Sequence, residues 1–352
     1  MNPAYVKFLS ASVDDRRDAF IGAARRLGTT EQNVEKDFWV CWTLDALFNG
    51  AKANGPRLLF KGGTSLSKAY SLISRFSEDI DITIFRDDIG QSASVEELEA
   101  ISGKQRRARL DAIKSASQTH INNDMKEQLT DRLQETLTTA GMQQVARVEQ
   151  DPDDQDNQSL LVWYPRVTSP DEAYIRPAIK VESGAKSALD PNQPSAILPY
   201  VSSEIAELDL MVANVTTVVA ERTFWDKVVI LHGLRQWFEK RGALRGGGQR
   251  VSRHYYDLHQ LLESKTGSEA ASDFELAADC VRHARMFFNS PDLNLATATH
   301  GSYTIMPNAE MSRDLSRDYN AMSGMIFGDP PNFEEIINSV RNLETRLNAG
   351  AI

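Results

Sequence analysis

The chain has 352 residues, enough to bury one large or two ordinary cores, and its 41% hydrophobic and 25% charged residues are the proportions of a soluble globular protein. Its formal net charge of −10 argues against a protein that coats nucleic acid non-specifically, because phosphate binding needs a positive surface, but leaves room for a local basic channel. Two distant cysteines, Cys41 and Cys280, make neither a disulfide framework nor a zinc site and read as buried thiols.

The first twenty residues lack a basic-then-apolar signal pattern and no apolar run reaches membrane-spanning length, so a cytoplasmic protein without membrane contact is expected. Ser12 caps a predicted helix from Val13 to Leu27 that stops at Gly28, and Thr30 opens a second that runs to Asn49-Gly50. Leu58, Leu59 and Phe60 then form a short apolar strand that stops at Lys61, Gly62 and Gly63. Thr64 or Ser65 is expected to cap a helix with Leu66, Tyr70 and Ile73 on one face. Such a turn offers free N–H groups where a phosphate is welcome.

In Asp79-Ile80-Asp81-Ile82-Thr83-Ile84, alternation puts the isoleucines on one strand face and Asp79, Asp81 and Thr83 on the other. Neighbouring carboxylates repel unless a divalent cation lies between them, and hard oxygen ligands favour Mg²⁺. A polar stretch with one short helix follows to Gly103, then a long helical region from about Gln105 to Ala140. Glu149–Gln158 reads as a solvated acidic turn, since it lacks the Gly and terminal Glu of a calcium loop. Ser159–Tyr164 and Tyr174–Glu182 are predicted strands, and in the second Ala178, Lys180 and Glu182 share a face.

Lys186–Pro199 reads as a Pro-rich connector and Met211–Val219 as a strand. Glu221 leads into a helix with Phe224, Val228 and Leu231 on one stripe and Lys227 beside it. Between Gly233 and His254 lie Arg235, Lys240, Arg241, Arg245, Arg250 and Arg253 against Glu239 alone, around the flexible segment Gly242–Gln249. His232, His254 and His259 fit no helical zinc spacing and read as core or supporting groups. The remainder is predicted helical, including Phe274–Phe288 and a helix opened by Asn332 with Glu335 at its third position.

Gly62-Gly63-Thr64-x-Leu66-x-Lys68-x-Tyr70 followed by Arg75-x-Ser77-x-Asp79-Ile80-Asp81 resembles motif I of the AbiEii/AbiGii nucleotidyltransferase toxins, members of the polymerase-β-like superfamily. The phrase Val34–Val40 is similar to one upstream of that motif, its charged residues being either surface or part of the site. Thr223-Phe-Trp-Asp226-Lys227 and Arg253–Leu258 are similar to the later motifs, which place Lys227 and Asp257 near the nucleotide. The resemblance implies an α/β (α+β) nucleotidyltransferase core with a mixed sheet at residues 1–220 and a mainly helical part at 221–352, with substrate held between them.

It also implies that Glu182 joins Asp79 and Asp81 at one or two Mg²⁺ ions, with Lys180 beside it as a catalytic cation. Gly62, Gly63, Thr64 and Ser65 would cradle the NTP phosphates, and Lys68, Lys180 and Lys227 would balance their charge. Asp257 would orient a basic residue or contact the nucleotide; Ser77 would touch phosphate or acceptor, or serve as a plain turn hydroxyl. The basic run would hold RNA or the NTP. The implied protein is a toxin transferring NMP to a tRNA 3′ end, neutralised by a separately encoded antitoxin. Its rivals are a protein acceptor, transfer of the γ-phosphate, and a non-catalytic nucleotide-binding protein.

Overall fold

Runs of buried aliphatic residues fix the middle of a seven-stranded sheet in the computed structural model, which describes residues 1–51, 55–169, 176–248 and 250–349. The strands are β1 (Leu58–Lys61), β2 (Asp79–Ile84), β3 (Arg147–Gln150), β4 (Ser159–Trp163), β5 (Ala178–Glu182), β6 (Asn192–Ile197) and β7 (Val212–Val218). Their spatial order is β3-β4-β5-β2-β1-β7-β6. β2 runs parallel to β5 and β1 parallel to β7, while the other neighbouring pairs are antiparallel, so the sheet is mixed as expected.

Contacts divide the chain into two compact units. The first comprises Met1–Ala69, Phe76–Ala93 and Gly103–Val218 and holds the whole sheet. Its helix Glu31–Phe48 packs on β2, β5 and β7, and it is buried from Asn33 to Leu47, which accounts for its Phe38, Trp39 and Trp42. Trp39 stacks on Tyr164, ring centroids 5.5 Å apart. Ser12 and Thr30 cap their helices as expected, each accepting a hydrogen bond from the N–H three residues on. The long helical region is Gly103–His120 and Lys126–Thr139, joined by a π-turn at Ile121–Met125.

The second unit comprises Tyr70–Arg75, Ser94–Ser102 and Val219–Ile352. It is helical, with its longest helix at Ala220–Arg241, followed by Ser252–Leu262, Phe274–Phe287, Ala309–Met322 and Phe333–Asn348. Asn332 and Glu335 form the expected reciprocal cap. No described helix is long and apolar enough to cross a membrane.

Two strands went unforeseen. β6 lies inside the presumed connector and β3 overlaps the start of the presumed acidic turn. Both are edge strands with mostly exposed side chains, so neither carries the alternation of a buried strand, and Pro194 is tolerated because an edge need not donate on both sides. The glycine helix also differs: it begins at Gly62 and ends at Lys68, so Tyr70 and Ile73 lie beyond it. The expected start of β5 at Tyr174 and Ile175, and Gln249 of the basic segment, lie outside the described residues.

Candidate active site

Alternation in β2 buries Ile80, Ile82 and Ile84 and leaves Asp79 and Asp81 on the half-open face. The parallel register sets Asp79 beside Lys180 and Asp81 beside Glu182 on β5, so three carboxylates and one ammonium share a face across two adjacent strands. On the other side of β2, Lys61 of β1 is paired with Asp81, its Nζ 3.9 Å from the carboxylate. Gly62, with φ +79°, closes over the same acid. A Cβ there would lie 2.1 Å from Asp81 Oδ2, so the bend admits glycine alone for two independent reasons, conformation and space.

Lys180 reaches both Glu182, at 2.9 Å, and Asp151, at 3.2 Å. Burial alone would lower its pKa, but hydrogen bonds and charge from these two acids hold it above its ordinary value. Asp151 belongs to the stretch read as a solvated turn, yet it is only 5% exposed and serves as this lysine's second counter-charge. The donor set of hard carboxylate oxygens on one face suits a divalent cation. Glu182 is turned onto Lys180, and among the described residues no three His, Cys, Asp or Glu side chains stand ready-gathered around one point.

Thr64 and Ser65 are fully buried. The Thr64 hydroxyl donates to the Asp79 carbonyl and shares a hydrogen bond with Ser77 Oγ at 2.8 Å, tying the glycine helix to the acid strand. Ser65 donates back to the Gly62 carbonyl at 2.8 Å. Both hydroxyls are thus turned inward, and what the turn can offer a phosphate is its backbone. Lys68, expected to meet phosphate charge, is also placed elsewhere. Its ammonium is 2.6 Å from Asp37, with the two side chains 4% and 3% exposed. The charged phrase Glu35-Lys36-Asp37 is accordingly buried and is not surface.

In the second unit, Asp257 is fully buried and binds two cations. Arg75 donates to both its oxygens at 2.7 and 2.9 Å, and Lys227 donates to Oδ2 at 2.7 Å. Burial would raise the Asp257 carboxyl, but Arg75 and Lys227 outweigh it and hold the carboxyl well below the usual range. Lys227 itself is lowered by burial in spite of Asp257, with Arg75 and Arg253 adding repulsion. His254 is held neutral by burial beside the same cations. Sequence reasoning named Lys227 and Asp257 but missed Arg75, although it stands in the motif four residues before Asp79.

His232 lies within hydrogen-bonding distance of the Asn294 carbonyl, Thr297 and Thr304, and His259 of Ser339, in keeping with packing roles. In the basic run, Arg241 pairs with Asp292 and Arg235 with Glu239, and the guanidiniums of Arg241 and Arg245 each lie 5.5 Å from the Trp237 ring.

Residues 45–339 match the family model described as nucleotidyl transferase AbiEii toxin, type IV TA system. Among solved structures, the chain is similar to MenT4, a nucleotidyltransferase toxin from Mycobacterium tuberculosis H37Rv, at 14% identity over 94% of this chain and 97% of that one, with a TM-score of 0.46. No curated protein sequence matches.

Proposed function

Because the chain belongs to the AbiEii family of nucleotidyl transferase toxins of type IV toxin–antitoxin systems, we propose that it transfers NMP from an NTP to a tRNA 3′ end at the face formed by Asp79, Asp81 and Glu182. The observation that carries this reading is the β2–β5 register, which sets Glu182 beside Asp81 with Gly62 closed over the same carboxylate. A cation held by the three carboxylates, Mg²⁺ in our reading, would neutralise charge on the α-phosphate and the leaving pyrophosphate.

The chain's own groups supply the rest. Gly62 and Gly63 carry no side chains of their own, and their backbone is assigned to a phosphate oxygen. Lys180, kept protonated by Glu182 and Asp151, provides a fixed positive charge on the same face. Ser77, bound to Thr64 and two residues from Asp79, is assigned to acceptor or phosphate. Lys227 is assigned to phosphate charge with Asp257 as the group that orients it. Membership of a type IV system implies an antitoxin partner, and NTP is the substrate the chemistry requires.

The test is incubation of the purified protein with total tRNA, Mg²⁺ and each NTP labelled in turn at the α and γ positions. Extension of tRNA carrying α-label is expected. Label passing from the γ position would make the protein a phosphotransferase, and α-label on protein with none on tRNA would replace the acceptor.

A further inference from the structure

Lys36 and Asp37 are consecutive residues on the helix Glu31–Phe48, among Phe38, Trp39 and Trp42, and they are 4% and 2% exposed. Charges this deep lose more by desolvation than a good pair returns, so they are weak evidence of stability and point instead to a geometry that must be held. Their partners show which geometry. Asp37 takes Lys68, the last residue of the glycine helix, at 2.6 Å, and its other oxygen accepts the N–H of Tyr200 at 2.6 Å. The Tyr200 ring covers the same ammonium, centroid 3.6 Å away, and its hydroxyl is 2.9 Å from Ser67 Oγ.

Lys36 takes Glu78, the residue immediately before Asp79, at 2.6 Å. Adjacent side chains of one buried helix thus grip the far end of the glycine helix and the near end of the acid strand. Thr64 ties those two gripped segments to each other through the Asp79 carbonyl and Ser77.

We propose that Lys36 and Asp37 are positioning residues for nucleotidyl transfer, setting the spacing between the Gly62-Gly63 bend and the Asp79–Asp81 carboxylates. The proposal rests on the reading of those acids as the reaction centre. The two residues act through Lys68 and Glu78, and a displacement on the order of 1 Å at a reacting group costs about 100-fold in rate.

The double variants D37L/K68M and K36M/E78M each remove both members of an ion pair, so neither member is left as a buried charge facing an uncharged partner. Melting temperature, kcat and KM for NTP are measured for each, with Asp81→Asn as control. Each double variant is expected to fold, D37L/K68M melting below the wild type because the Tyr200 N–H loses its acceptor, while kcat in folded protein falls at least about tenfold and KM stays nearly constant. A folded double variant with wild-type kcat would overturn the proposal. Where one pair fails to fold the other carries the test, and Asp37→Glu is expected to recover part of the kcat lost in Asp37→Asn at a temperature where both are folded. Asp81→Asn that still transfers removes the reaction centre and the proposal together; inactive Asp81→Asn beside fully active double variants removes the proposal alone.

Discussion

Gly62 bears the tightest constraint in the candidate site, because its backbone is left-handed and Asp81 occupies the space a side chain would need. Gly62→Ala is expected to cost about 1–3 kcal/mol of stability and to lower transfer by about 100-fold, since relief of the clash must displace Asp81 or the bend. Thermal melting and α-label incorporation measure the two effects. Asp257 bears a different load, holding the buried cations of Arg75 and Lys227. Asp257→Asn leaves both cations buried against a neutral amide and should cost about 3–5 kcal/mol in urea denaturation. Because its folded pKa is depressed, the wild-type carboxylate contributes stability above the ordinary carboxylate range and loses it as pH falls through the depressed value.

Among the elements, those with a buried face were legible and those without were not. β2 and β5 announced themselves through isoleucine and valine alternation, which also fixed which acids share a face; the register that pairs Asp81 with Glu182 is a property of the sheet and had to be seen. β3 and β6 sit at the edges and lack that pattern. The partners of Lys68 and Lys180 were hidden for another reason. Asp37 and Asp151 come from segments 31 and 29 residues away in the chain, and no local spacing encodes which buried charge meets which. Unequal burial also has an energetic consequence. Phe38→Ala, in the middle of the buried helix, should cost about 3–5 kcal/mol, whereas Pro194→Ala on the exposed edge should cost less than about 1 kcal/mol, both read from urea midpoints.

For the molecule as a whole, three histidines with depressed pKa values make stability depend on pH. His232, His254 and His259 are all held below the ordinary value of 6.5 by burial. Below that pH the unfolded chain takes up protons that the folded chain refuses, so stability should fall as pH drops, by up to about 1.4 kcal/mol per pH unit for each histidine. Urea midpoints across that range measure the loss, and His254→Gln should flatten it.

The proposed reaction stands most directly on Glu182, which the strand register sets beside Asp81 from just over a hundred residues further along the chain. The initial rate of α-label transfer by Glu182→Gln, in protein shown to be folded, should fall at least about 100-fold below the wild type. A wild-type rate in that variant would contradict the assignment of these three carboxylates as the centre of the reaction.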